Sequence, residues 1–130
     1  NVLHLEAARD DIRVNTLAPT AATAMTEGLL PEAALALLQP ETITPGVLYL
    51  VSDDAPRRTI LSAGAGTFAV TRITETQGVL IEGEISPETV AAQWDQITDP
   101  SGAEELENAF AQTRKYALRA AQAKGGTLDW

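Results

Sequence analysis

The chain has 130 residues, of which 45% are hydrophobic and 21% are charged, a composition typical of a globular protein rather than a disordered one. Its 18 acidic and 9 basic side chains give a net charge of -9, which argues against nucleic acid and anionic lipid as partners. The sequence contains no cysteine and no apolar run near the ~20 residues of a membrane-spanning helix, so disulfides, thiolate chemistry and a membrane span are not expected.

The first predicted elements are the end of a helix and a strand. Residues 1–8 resemble a helix already under way, because no capping residue stands before Val2. A run of β-branched and aliphatic side chains then predicts a strand from Ile12 to Ala18, and Pro19 is expected to end it.

Two helices and a second strand follow. The first helix is predicted over residues 31–38, with Pro31 at its start. The second helix has Thr44 as its expected N-cap and Pro45 at its first helical position. A strand is then predicted over residues 58–63. The order of helix, strand, helix pair and strand is typical of an α/β fold with a right-handed crossover between parallel strands.

The next segment contains more β-forming residues. They occupy residues 68–73 and 79–81 on either side of Thr76-Gln77-Gly78. This pattern predicts either a hairpin with its turn at residues 76–78 or an extended excursion of the chain.

The end of the chain is predicted to be helical. Ser86 is expected to cap a helix that runs to Ile97, with Trp94 on its buried face. A last, long helix is predicted over residues 103–123, ended by the glycines that follow it. The residues predicted to share one face of this helix are Leu106, Ala109, Phe110, Thr113 and Ala117.

Residues 64–69 have the form G-x-G-x-x-A after a predicted strand, as a dinucleotide-binding fingerprint does. That fingerprint must open a helix whose N-terminus meets the pyrophosphate, whereas residues 67–76 are rich in threonine and lack a helical apolar face. The pattern therefore favours a structural role, in which the glycines allow a sharp turn after the second strand.

Residues 12–26, a short strand that enters a Pro/Thr/Ala loop, resemble the late cofactor-side strand and loop of the short-chain dehydrogenases. An ordered set of segments over residues 1–98 is similar to the (3R)-hydroxyacyl-CoA dehydrogenase unit of peroxisomal multifunctional β-oxidation enzymes. These segments are Ala18-Pro19-Thr20-Ala21, Met25-Thr26, Leu30-Pro31-Glu32, Gln39-Pro40-Glu41, Ala63-Gly64-Ala65-Gly66, and Ser86-Pro87-Glu88-Thr89-Val90 with Trp94.

The resemblance implies a division of the chain into two parts. Residues 1–66 would be the C-terminal part of a Rossmann-like doubly wound α/β domain, with two parallel strands and their helices. Residues 67–130 would be a mostly helical C-terminal extension that packs across a dimer interface. The chain as a whole would then be the C-terminal half of a short-chain dehydrogenase.

The loop after the first strand is the predicted cofactor site, because ligands of open α/β sheets bind beyond the carboxyl ends of the strands. The resemblance implies that this loop contacts the nicotinamide end of NAD or NADP through backbone groups and a hydroxyl. The residues concerned are Pro19, Thr20, Ala21, Thr23 and Met25, followed by Thr26. Thr20 departs from the family, in which glycine is usual at this position.

No catalytic residue is predicted. The family uses a Tyr-x-x-x-Lys motif, but Tyr49 is followed four residues later by Asp53, and Tyr116 by Ala120. The resemblance implies that the motif would fall about two helical turns before Asn1. We therefore expect a fragment of an NAD(P)-dependent dehydrogenase, inactive alone and without bound cofactor. The alternative is a non-catalytic dimerisation or binding module.

The remaining residues favour structural roles. His4, the single histidine, is interpreted as a helix-face residue. The acidic groups at residues 53–54 and 104–107 fit helix ends better than a metal site, so no metal is expected.

Two parallel strands without flanking strands leave an exposed sheet edge, which predicts self-association of the chain. The resemblance also implies an acyl-CoA-type substrate for the parent protein. Its expected location is the cytoplasm, or the peroxisome if the source is eukaryotic.

Overall fold

The computed structural model describes residues 2–129, so predictions for Asn1 and Trp130 lie outside the described residues. The chain forms two compact units, Asn1–Arg72 and Ile73–Trp130. The predicted division after residue 66 falls within the turn between two strands of one sheet, and the first unit continues to Arg72 because the second of these strands belongs to that sheet.

The first unit contains a mixed sheet. Its elements are α1 (Val2–Ala7), β1 (Thr16–Pro19), α2 (Glu32–Leu37), α3 (Thr44–Leu50), β2 (Ile60–Gly64) and β3 (Thr67–Thr71). The strand order is β1-β2-β3, with β1 parallel and β3 antiparallel to β2. The predicted α/β class and the parallel pair are confirmed, and the β-forming segment predicted at residues 68–73 supplies the third strand of the sheet.

The strand β1 is shorter than the prediction of residues 12–18, because the residues before it are held through side chains. The Asn15 side chain donates to the carbonyl of Pro56 (2.7 Å) and accepts from the amide of Thr59 (3.0 Å). Arg13 donates to the carbonyls of Ser52 (3.3 Å), Asp53 and Ala55 (3.3 Å). Regular pairing with β2 therefore starts only at Thr16.

The helix α3 begins one residue earlier than predicted. Its N-cap is Ile43, and Thr44 is its first residue, whereas Thr44 was predicted as the N-cap. A 3-10 turn over Pro40–Thr42 already places Ile43 in a helical conformation, with φ -94° and ψ -25°. The predicted helix at 31–38 is observed as α2, where Pro31 occupies the N-cap position rather than the first turn.

The strands β2 and β3 form a hairpin. Its two turn residues both have positive φ, 50° at Ala65 and 73° at Gly66, which defines a type I′ turn. The structural interpretation of the G-x-G-x-x-A pattern is confirmed, because β3 follows the glycines directly and no helix starts there. The alternative of a hairpin turn at residues 76–78 is wrong, since residues 79–81 form no strand.

The helix α3 contacts one face of this sheet at Gly46. A Cβ atom built on Gly46 would lie 3.1 Å from Cδ2 of Leu61, so this glycine lets the helix approach the sheet closely. Within residues 2–129 the buried hydrophobic residues are Ile43, Ala55 and Ala63, and many large apolar side chains stay exposed.

The second unit contains α4 (Pro87–Ala92), α5 (Trp94–Ile97) and α6 (Ala109–Ala123). The predicted N-cap is confirmed, since Ser86 and Thr89 form a reciprocal capping box. The predicted helix over 86–97 is interrupted at Gln93. Trp94, expected to be buried, is 56% exposed.

The last helix starts later than predicted, at Ala109 rather than Ala103, because Asn108 caps it by accepting a hydrogen bond from the amide of Ala111 (3.0 Å). Upstream, Glu104 forms a β-bridge with Glu75, which holds this segment extended. Leu106 is thus outside the helix, and Phe110 is 76% exposed, so the predicted apolar face is not a buried one.

The glycines end α6 as predicted. The amide of Gly126 donates to the carbonyl of Ala121 (2.9 Å), and Gly125 has φ 71°. This is the hydrogen-bond pattern of a Schellman cap. None of the helices within residues 2–129 is long and apolar enough to cross a membrane.

Candidate functional site

The carboxyl ends of β1 and β2 lie side by side, and the predicted cofactor loop leaves the first of them. The amide of Thr20 donates to the carbonyl of Ala63 (2.8 Å), which extends the parallel pairing into the loop. A Cβ atom on Gly64 would lie 3.0 Å from the Thr20 carbonyl oxygen. The absence of a side chain at residue 64 therefore allows the loop to stay close to β2.

A hollow of about 300 Å³ opens at these strand ends. It is lined by Thr20, Leu38, Ser62, Ala63, Gly64, Thr67 and Ala69. Thr20 is the only one of the five predicted cofactor residues in this lining. The polar groups that line this hollow are side-chain hydroxyls and backbone groups, and none of its lining side chains is charged. The hollow therefore suits a neutral polar group.

The loop itself is organised by the hydroxyl of Thr26. This oxygen accepts a hydrogen bond from the amide of Thr23 (2.8 Å) and lies within donating distance of the carbonyls of Thr23 (2.9 Å) and Ala21 (3.4 Å). A further bond runs from the amide of Ala22 to the carbonyl of Leu38 (2.7 Å) and ties the loop to the end of α2. The loop therefore has a defined conformation before any ligand binds.

Other groups of the loop point outward. The hydroxyl of Thr23 and the amide of Ala21 have no hydrogen-bond partner among residues 2–129, and Met25 is 84% exposed. A second hollow, of about 290 Å³, lies between the loop and α2 and contains Thr23 together with Glu27 and Glu32. The two carboxylates would repel a negatively charged pyrophosphate from this second hollow, but they would not repel a neutral amide.

The five predicted residues are thus distributed over one continuous segment. Pro19 ends β1, Thr20 lines the first hollow and Thr23 lines the second. Met25 lines neither. The sequence interpretation missed Ser62 and Thr67, which reach the first hollow from β2 and β3. The alternation of side chains along β2 could have indicated Ser62, but Thr67 required knowledge of the hairpin.

The described residues contain no group of three or more His, Cys, Asp or Glu side chains arranged to hold a metal ion. His4 lies on α1 as predicted. Its Nδ1 atom is buried and has no hydrogen-bond partner within residues 2–129.

The second unit contains its own cluster of charges around Lys115. The ammonium group lies 3.0 Å from Glu75 and 3.5 Å from Glu104, and it also donates to the carbonyl of Thr76 (2.7 Å). Burial raises the pKa of Glu75, but hydrogen bonds from Gln112 and Lys115 outweigh it, and the pKa lies below its ordinary value. This cluster joins α6 to the segment that precedes α4.

The fold is an α/β fold with a candidate ligand site at the carboxyl ends of two parallel strands, and the comparisons with known proteins identify its relatives. The chain is homologous to the short-chain dehydrogenases/reductases. It is 38% identical over 104 residues to a protein of Mycobacterium tuberculosis named as a short-chain type dehydrogenase/reductase, a match that covers 79% of this chain. No protein-family model matches the chain.

The similarity extends to peroxisomal multifunctional enzymes. The chain is 33% identical over 135 residues to the peroxisomal hydratase-dehydrogenase-epimerase of Neurospora crassa, covering 96% of this chain, and 34% identical over 107 residues to the mouse peroxisomal multifunctional enzyme type 2, covering 79% of it. The full-length structure of the type 2 enzyme from Drosophila melanogaster superposes with a TM-score of 0.74 and 25% identity, covering 95% of this chain.

These matches confirm the resemblance drawn from the ordered sequence segments. The chain spans 36% of the mycobacterial relative, 15% of the Neurospora and of the mouse relatives, and 23% of the Drosophila structure.

Proposed function

We propose that the chain is part of an NAD(P)-dependent dehydrogenase that oxidises a 3-hydroxyacyl-CoA in the intact protein. The observation that carries this proposal is the loop at residues 19–26, which leaves the carboxyl end of β1 in a chain similar to enzymes named as dehydrogenases. Bound NAD(P) would supply the hydride acceptor.

The loop residues are proposed to hold the nicotinamide end of the cofactor. The amide of Ala21 and the hydroxyl of Thr23 have no hydrogen-bond partner within residues 2–129, and both suit the neutral carboxamide. The exposed thioether of Met25 can pack on an apolar ring. Since Glu27 and Glu32 flank Thr23, the phosphates and the adenine are proposed to bind to the part of the fold outside this chain.

The chain alone is proposed to be inactive and free of cofactor. Its two tyrosines lack a lysine four residues later, which supports the proposal that the proton donor of the family lies outside these 130 residues. Saturable binding of NADH by the isolated chain would contradict this part of the proposal.

A chimera tests the dehydrogenase assignment. The matching 104-residue segment of the mycobacterial relative is replaced by that of this chain, and NAD(P)H formation is followed with a 3-hydroxyacyl-CoA. We expect activity, and Thr23→Val should raise the KM for the cofactor. The matched control is Thr98→Val, which removes a hydroxyl that donates to the carbonyls of Trp94 and Asp95 in its own helical turn. A folded chimera without activity would contradict the assignment.

The second candidate is a non-catalytic dimerisation or binding module. It is favoured by the small number of buried apolar residues and by exposed ones such as Val2, Leu29 and Val51, each more than half exposed. The source DNA upstream of the Asn1 codon separates the two candidates. An in-frame Tyr-x-x-x-Lys about two helical turns before Asn1 supports the dehydrogenase, and a start codon directly before Asn1 supports the module.

Both candidates include self-association, proposed from the open edges of the sheet. An acyl-CoA-type substrate is proposed for the parent protein only. The proposed location is the peroxisome if the source is eukaryotic, supported by the names of the fungal and mouse relatives, and otherwise the cytoplasm.

A further inference from the structure

We propose that β3 pairs with β3 of a second copy of the chain, in an antiparallel register centred on Ala69, so that two three-stranded sheets become one. This deepens the self-association proposed above and names the surface and the register. The pairing does not depend on dehydrogenase activity, so its failure would leave the dehydrogenase proposal unaffected.

The first argument is that β3 has a free edge. It is the terminal strand of the sheet, and all five of its residues are exposed, Phe68 by 42% and Val70 by 51%. In the two-residue hairpin, Gly64 and Thr67 form the first hydrogen-bonded pair, so the backbone groups of Thr67, Ala69 and Thr71 face β2. The N–H and C=O groups of Phe68 and Val70 therefore face outward.

The other edge of the sheet is less suited to pairing. In β1 the amides of Thr16 and Thr20 donate to the β2 side, at 2.8 Å each, so the alternate residues Leu17 and Pro19 face outward. Proline has no N–H, and it is one of the residues that protect edge strands from pairing. The outer edge of β1 thus offers one donor, whereas β3 offers two.

The second argument is the sequence of β3, Thr-Phe-Ala-Val-Thr, which is almost symmetric about Ala69. A two-fold axis through Ala69 would place Thr67 opposite Thr71 and Phe68 opposite Val70 of the second copy. Threonine pairs and aromatic–β-branched pairs are favourable cross-strand neighbours. Isologous contacts require this kind of self-complementarity.

The hydrogen-bond pattern agrees with the same register. Phe68 and Val70 of opposite copies would exchange both N–H···O bonds, which gives four bonds in total. Ala69 of one copy would lie opposite Ala69 of the other at a non-hydrogen-bonded position, where the two Cα atoms are only about 4.5 Å apart. A small side chain is suited to this position.

The surroundings of β3 favour an apolar contact. A hollow of about 300 Å³ on the α3 side of the sheet is lined by Pro45, Gly46, Tyr49, Leu61 and Phe68, and Tyr49 is 51% exposed. No charged residue occurs from Gly64 to Thr71, although the whole chain has a net charge of -9. We therefore expect self-association to strengthen as salt screens the repulsion between copies.

Charge variants at the proposed axis test the register. The variants are Ala69→Asp and Ala69→Lys of the 130-residue chain, studied by sedimentation equilibrium at micromolar concentration and physiological salt. Like charges facing each other should raise the dimer Kd by at least about fivefold in each variant, and an equimolar mixture should recover the affinity of the wild type. The matched controls are Ala91→Asp and Ala91→Lys, at an exposed position of α4.

Amide hydrogen exchange of the unsubstituted chain gives a readout that does not depend on how the variants fold. The amides of Phe68 and Val70 should become protected as the protein concentration rises. A monomeric wild type would overturn the proposal, as would dimers whose Phe68 and Val70 amides stay unprotected. Unchanged dimers of folded Ala69 variants would overturn it as well.

Discussion

Gly46 of α3 and Phe68 of β3 are in direct contact, since a Cβ atom on Gly46 would lie 2.7 Å from the ring atom Cε1 of Phe68. The glycine is buried, and Cδ2 of Leu61 would lie 3.1 Å from the same Cβ position. This contact sets the distance between the helix and the sheet.

Replacing Gly46 by Ala should therefore destabilise the chain, although alanine favours helices by about 1 kcal/mol. We expect a net loss of about 1–2 kcal/mol, because the added methyl group displaces the Phe68 ring. Urea denaturation measures it. In the background of Phe68→Leu the same substitution should cost less, and equal costs in both backgrounds would disprove the steric cause.

Replacing the turn residue Ala65 by asparagine should stabilise the folded chain. Its φ of 50° lies in the left-handed region, where a residue with a Cβ costs roughly 1–2 kcal/mol. Asparagine tolerates this conformation and is preferred in type I′ turns. Ala65→Asn should raise the free energy of unfolding by about 0.5–1 kcal/mol. Ala24→Asn, at an exposed alanine outside the positive-φ residues, should leave the thermal midpoint almost unchanged.

The conformation of the candidate loop should depend on the hydroxyl of Thr26 and not on that of Thr23. Thr26→Val removes the acceptor of the Thr23 amide, so exchange of this amide should become faster by about fivefold, a hydrogen bond being worth roughly 1 kcal/mol. Thr23→Val removes a hydroxyl without a partner in the described residues and should leave the exchange rate unchanged. Equal effects of the two variants would show that Thr26 does not organise the loop.

The Lys115 cluster should make the second unit sensitive to acid. Because the folded pKa of Glu75 is lowered, its contribution is complete above the ordinary carboxyl pKa and is lost as the pH falls through the lowered value. Lys115→Met should cost about 1–3 kcal/mol at neutral pH. Glu75→Gln should make the loss of stability on acidification shallower.

Chemical denaturation between neutral and acidic pH measures both effects. Lys124→Met is the matched control, because Lys124 is exposed and lies at the C-cap of α6. If the free energy of unfolding falls with pH in the same way for Glu75→Gln and the wild type, the Lys115 cluster is not the cause of the acid sensitivity.

The elements that could be predicted from the sequence are those whose start or end depends on neighbouring residues. Ser86 as N-cap and the glycines that end α6 were predicted from short patterns, because the capping hydrogen bonds involve residues within a few positions. The parallel pairing of β1 and β2 followed from the alternation of helices and strands.

The predicted bounds of an element were wrong where contacts with residues far along the chain determine its conformation. The start of β1 depends on bonds from Arg13 and Asn15 to residues about 40 positions away. The segment before α6 is extended because Glu104 pairs with Glu75. Thr67 reaches the candidate site only because the hairpin pairs β3 with β2, so a pattern along the chain could not identify it.

The mixed sheet also implies an order of assembly. The hairpin of β2 and β3 closes over two residues, whereas Thr16 pairs with Ile60, so β1 can join only after a loop of more than forty residues has closed. Closing the longer loop costs more entropy, and we expect the hairpin to form first. The loop at residues 19–26 continues from the last strand to dock, so the candidate site would be completed at the end of folding and opened by the first step of unfolding.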